Sequence, residues 1–149
     1  MTYAAILILL AVAGLAIWIR TAPSDPTLWN VVLSLDAVPG TGTCAQQITT
    51  LPNGATSSCL MTEPGPAVLA RLTAIALASP RTVLLAGSPA EGRMTWVSRS
   101  QVMGFPDYIT AQTTAQPQGT RLDVFSRQRF GSRDMGVNTA RLKAWLGAL

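Results

Sequence analysis

Residues 3–19 read YAAILILLAVAGLAIWI, a run with no charge in which only Gly14 falls outside the apolar set. It is apolar on every helical face, which suits a membrane better than the one-sided core of a soluble domain. As a helix it would extend roughly 25 Å, the short end of a membrane span. Tyr3 and Trp18 stand near its ends, where amphipathic rings favour the headgroup level, and Arg20 closes it. From residue 21 to 65 the pattern dissolves. Pro23, Pro26, Pro39, Pro52 and Pro64 alternate with Gly40, Gly42, Gly54 and Gly65, and only short apolar pieces such as Trp29 to Leu35 interrupt them. This stretch reads as a tether that becomes an irregular covering loop.

Order returns at Gly65. Pro66 suits a first helical turn, Leu69, Leu72, Ile75 and Ala76 recur at helical spacing, and Ser79-Pro80 stops the helix. Thr82 to Ala86 is a short β-type run. Met94 to Val102 alternates, with Met94, Trp96 and Ser98 on one face and Thr95, Val97 and Arg99 on the other. Asp107 to Thr114 continues as strand. Arg121 to Phe130 sets Leu122 and Val124 against Asp123, Arg127 and Arg129. A last helix follows, with Asn138 as its N-cap, Val137 and Leu142 as a hydrophobic staple, and Leu142, Trp145, Leu146 and Leu149 as its stripe. The expected fold is α+β: an N-terminal transmembrane helix, then an antiparallel meander of about four strands with two helices on one face. The expected segments are an anchor over 1–20, a tether and covering loop over 21–64, and the α+β domain over 65–149.

Cleavage of the first segment as a signal sequence is disfavoured by Arg20 close to any cut after Ala22 and by Pro23 directly after it. Arg20 points weakly to a cytoplasmic domain, whereas the cysteine pair points the other way. Cys44 and Cys59 are either reduced thiols or a disulfide, and the disulfide is the preferred reading, implying an oxidising, extracytoplasmic compartment.

Composition narrows the chemistry. Charged residues make up 12% of the chain, about half the usual share, and histidine is absent. No Ser-His-Asp triad, Cys-His pair or histidine-ligated metal can form, and no cofactor motif or metal cluster is visible. Charge is also segregated. Up to residue 70 one base, Arg20, faces Asp25, Asp36 and Glu63. From Arg71 onward ten bases face four acids, a net of +6. Arginine binds carboxylate and phosphate in a bidentate fork. Should Arg99 share a sheet face with Arg127 and Arg129, they would form an anion-binding surface; an ordinary solvated face is the plainer alternative. Nucleic acid is not expected, because stacking aromatics are sparse.

The segments TWVSRSQVMGFPDYITAQ (95–112) and FSRQRFGSRDMGVNTARLKAWLGAL (125–149) resemble the two signature blocks of the uncharacterised bacterial and plastid family catalogued as domain of unknown function 1499. Ser98, Arg99, Gly104, Phe105 and Asp107 match the first block. Ser126, Arg127, Gly131, Asp134, Gly136, Val137, Asn138 and Arg141 match the second. The resemblance covers roughly residues 59–149. It implies an envelope setting, since many members look like lipoproteins or anchored proteins, and it implies no activity. It marks Arg99, Asp107, Arg127, Asp134 and Asn138 as motif positions, which either bind something or form a buried network fixing sheet to helix. The network is slightly preferred.

The function expected from these readings is a membrane-anchored envelope protein of the inner membrane with a periplasmic domain. That domain would be a binding or structural module for anionic ligands or lipid headgroups, with Arg99, Asp107, Arg127, Arg129, Asp134 and Asn138 as candidate binding residues. Two alternatives remain: an enzyme using carboxylates and arginines, and an accessory subunit of a membrane complex contacting its partner through the 21–65 loop.

Overall fold

Proline and glycine set the element boundaries. In the computed structural model, which describes residues 2–40 and 42–149, Pro66 opens helix α3 (Gly65–Ala78) and Pro80 ends it. The N-terminal apolar run forms helix α1 (Thr2–Thr21). Its 19 residues from Tyr3 to Thr21 have a mean hydropathy of 2.2 and are long and apolar enough to cross a membrane. Most of α1 stands clear of the protein, but Ile19 at its end is buried. A single turn, α2 (Pro26–Trp29), follows, capped by the Asp25 carboxylate.

The α+β class is as expected, with more strands than the pattern revealed. Strands β1 (Ile48–Leu51), β2 (Gly54–Met61), β3 (Thr82–Ser88), β4 (Arg93–Arg99), β5 (Pro106–Gln116) and β6 (Gly119–Gln128) form one sheet in the order β1-β2-β6-β5-β4-β3, with every neighbouring pair antiparallel. The last four are the expected meander. The first two are a correction to the covering loop. Pro52-Asn53 is a hairpin turn closed by the Leu51–Gly54 pair, and β2 lies inside the sheet beside β6. The folded domain therefore begins before residue 65. Its sequence, GATSSC, hides this because small side chains give no apolar alternation, yet Ala55, Ser57 and Cys59 occupy one face and are buried there.

Helices α3 and α4 (Val137–Gly147) cover one face of the sheet. Val68, Leu69, Leu72, Leu142, Trp145 and Leu146 pack onto Trp96, Ile109, Ala111, Leu122 and Val124. Trp96 meets Trp145 edge-on at 5.9 Å, and the Trp145 indole N–H donates to Ser79 Oγ at 2.8 Å, tying α4 to the end of α3. The Cys44–Cys59 disulfide pins the 3₁₀ turn Cys44–Gln46 to β2 beside this core.

The opposite face is crossed by residues 22–35, a strap rather than a loose tether. The Trp29 ring stacks on Tyr108, 3.7 Å between centroids and 6° from parallel. The Trp29 carbonyl accepts from Arg127 Nη2 at 2.9 Å and from Thr110 Oγ1 at 3.1 Å. Gln112 bonds both backbone groups of Leu33, and Arg121 donates to the Leu35 carbonyl at 2.8 Å. Sheet side chains thus satisfy backbone groups that an irregular segment cannot satisfy itself.

Candidate anion-binding site

Strand register and the packing of α4 divide the six candidate residues between the two faces. Asp107 pairs with Ser98 and Gln128 on the helix-covered face. There its carboxylate accepts from Arg141 at 2.9 Å. Asn138, fully buried, is the centre of the group: its carbonyl oxygen accepts from Ser126 and from Arg141, and its amide donates to Asp134. Asp134 also accepts the Asn138 backbone N–H at 3.0 Å. Asn138 is therefore not the N-cap of α4. Gly136, at φ 83°, holds that position, and Asp134 supplies the carboxylate that receives the first free amide. Burial pushes the Asp107 carboxyl above its ordinary range; Arg141 opposes this and the neighbouring Asp134 adds to it.

Arg99, Arg127 and Arg129 do share the strap face, but two of them are occupied. Arg127 is buried between Trp29 and Phe125, its guanidinium 5.3 and 4.9 Å from their ring centroids, and burial lowers its pKa. Arg129 donates to the Pro23 carbonyl at 2.7 Å. These two arginines hold the strap.

Arg99 is placed differently. The Thr82–Ser98 pair sets Arg81 beside it, and Arg81 Nε donates to the Arg99 carbonyl at 3.1 Å. Arg99 Nη1 donates to the Gly104 carbonyl at 3.0 Å, and Arg20, at the end of α1, donates to the Val102 carbonyl. Each guanidinium carries five donors, so each keeps several free. Among the described residues the ion pairs join Arg71 to Glu63, Arg121 to Asp123 and Arg141 to Asp107; none involves this trio. Arg20, Arg81 and Arg99 line a hollow of about 450 Å³ that has Val83 and Val97 among its walls and no carboxylate. Such a set suits an anion bearing an apolar substituent.

Two backbone features build this hollow. Arg81 has φ 56°, a left-handed conformation that costs a side-chain-bearing residue roughly 1–2 kcal/mol. Gly104 has φ 72°, a conformation strained for any side chain, and a Cβ there would lie 2.6 Å from Arg20 Cγ, so the Arg20 side chain would have to shift. Sequence reasoning found Arg99 and noted Arg20 as the end of the helix. It missed Arg81, whose place depends on a register that shifts between Leu84 and Ala86.

The two signature blocks meet at this end of the sheet. Arg99 and Gly104 border the arginine hollow; Phe105, Asp107, Gly131, Asp134 and Val137 border a second hollow of about 320 Å³, and Ser100 lies between the two. The profile of the family described as Protein of unknown function (DUF1499) matches residues 30–149. The chain belongs to that family. The DUF1499 match starts inside the strap and takes in the hairpin as well as the meander and both helices, so it reaches further towards the N-terminus than the signature blocks alone. Among curated proteins, none matches the chain.

Proposed function

We propose that this protein is a single-span envelope protein, held in the inner membrane by an uncleaved α1 with its domain on the periplasmic side. Its domain is a binding module for anionic ligands or lipid headgroups, which it takes at Arg20, Arg81 and Arg99. The observation that carries this reading is three guanidiniums without acidic partners among the described residues, around one apolar-walled hollow at the foot of an apolar helix. The disulfide supports the compartment, because such bridges persist where the surroundings are oxidising.

The test is titration of detergent-solubilised full-length protein with short-chain phosphatidylglycerol, followed by calorimetry. Saturable binding that weakens with salt is expected, falling about tenfold or more in Arg81→Gln with Arg99→Gln, as for the loss of charge-assisted hydrogen bonds. Binding that is unchanged in the double variant contradicts the site.

The enzyme alternative would draw on Asp107 and Asp134, and both are already bonded beneath α4. The accessory-subunit reading has an observation of its own: Leu28 and Val32, on the strap, are 67% and 69% exposed. It expects photo-crosslinks from position 32 to one defined membrane protein in intact cells, and loses its support if none forms.

A further inference from the structure

The contacts of α1 fix more than the position of its end. Trp18 closes the apolar run, where indole rings settle at the headgroup level. Its ring lies 5.6 Å from Phe130, and Phe130 lies 6.0 Å from Phe105. Arg20 bonds the carbonyl of Val102. These contacts place Val102 and Phe130 beside the end of α1, and Met135 and Val137 border the same hollow as Phe105 and Phe130.

Both segments display apolar tips: Val102 is 77% exposed, Met135 93% and Val137 52%. The turn is formed in an unusual way. Met135 adopts φ 53° immediately before Gly136 at φ 83°, so a left-handed position that favours glycine or asparagine instead presents a long apolar side chain to solvent. Charge is arranged to match. Arg20, Arg81 and Arg133 border the two hollows at this end; Asp107 and Asp134 also border the second, where they are bonded to Arg141 and Asn138. Asp36, Glu63 and Glu91 lie towards the opposite end, beyond the Leu35 carbonyl that Arg121 holds, beside Thr120, and in the β3–β4 turn. Asp25 is engaged in capping α2.

We infer that Val102, Met135 and Val137 seat the domain on an anionic bilayer, inserting into the headgroup layer of the leaflet in which α1 ends. The inference rests on the anchor reading above: continuity with α1 supplies the depth, and the arginines supply the attraction to anionic lipid. The domain then lies against the membrane rather than hanging from a flexible tether, and the arginine hollow opens at the phosphate plane.

Both native cysteines are in the disulfide, so one introduced cysteine gives a single labelling site. Full-length protein carrying an environment-sensitive fluorophore at Val102→Cys, Met135→Cys, Val38→Cys or Leu10→Cys is reconstituted in nanodiscs of phosphatidylcholine with phosphatidylglycerol. Quenching by lipids with a nitroxide at the headgroup is compared with quenching by a nitroxide deep in the acyl chain. Probes at 102 and 135 should be quenched from the headgroup, the probe at 10 from the acyl chain, and the probe at 38 by neither. If 10 is quenched while 102 and 135 behave like 38, the seating surface is overturned and the anchor stands. If 10 is not quenched, the anchor reading fails and takes the seating surface with it.

Discussion

Asn138 shows how one buried amide can organise several charged groups. It joins Ser126, Arg141 and Asp134, and through Arg141 it reaches Asp107. Asn138→Leu would leave Asp134 and Arg141 short of partners, so a loss of about 3 kcal/mol or more is expected in urea unfolding; a loss below about 1 kcal/mol would show the network to be dispensable. Asp107 gives a pH prediction. Because its folded carboxyl is raised above the ordinary 3.8, the folded state binds more proton than the unfolded chain between the two values. Its contribution to stability is thus fully present below the ordinary value and is lost as pH rises through the raised one. Removing the opposing charge in Arg141→Met should move the Asp107 titration higher still, followed by carboxyl ¹³C NMR; a lower or unchanged titration would mean that Arg141 does not act on it. Arg81 combines strain with a proposed role in anion binding. Arg81→Gly should keep stability within about 1 kcal/mol of the parent or raise it, since glycine accepts φ 56°, while weakening anion binding; a clear loss of stability without loss of binding would reverse that assignment. Arg99, Asp107, Asp134 and Asn138 could be picked out by residue type and motif, but their partition between two faces needed the register, which no single residue carries.

At the scale of elements, the strap explains why a segment dense in proline is ordered. Its backbone is bonded by Gln112, Arg121, Arg127 and Arg129, and its one large ring lies flat on Tyr108. Trp29→Ala should cost about 2–3 kcal/mol, somewhat below the loss for a fully buried aromatic, and should raise amide exchange over 22–35 ahead of the sheet; uniform exchange changes across the chain would argue against a separable strap. The disulfide stabilises the other side of the sheet. Closing a loop of about 15 residues is worth roughly 3 kcal/mol in the chain-entropy model, so Cys44→Ser with Cys59→Ser should lower the midpoint of thermal unfolding markedly. Helices α1 and α3 and the strands from Thr82 onward were readable because apolar periodicity and proline stops agree there. Strands β1 and β2 were not, because Thr, Ser, Ala and Gly fill positions that in β4 to β6 carry Trp, Ile, Leu and Val. The N-cap of α4 was displaced by two residues for a related reason: Asn138 has the chemistry of a cap and is used as a buried donor and acceptor instead.

For the whole molecule, charge differs in how it is paired. Among the described residues, arginines without acidic partners gather where α1 meets the sheet, whereas Arg71 and Arg121 are paired with Glu63 and Asp123 towards the far end and Arg141 is paired with Asp107. The absence of histidine removes the commonest acid–base chemistry, and the anion recognition proposed for the arginine cluster needs none. The central claim, that Arg81 and Arg99 hold an anionic headgroup, is tested most directly by solid-state NMR. Full-length protein with ¹³C-labelled arginine is reconstituted with phosphatidylglycerol, and dephasing of the guanidinium carbons by lipid ³¹P is measured. The account predicts dephasing in the parent protein that is largely lost in Arg81→Gln with Arg99→Gln. Equal dephasing in the two, or none in the parent, would contradict it.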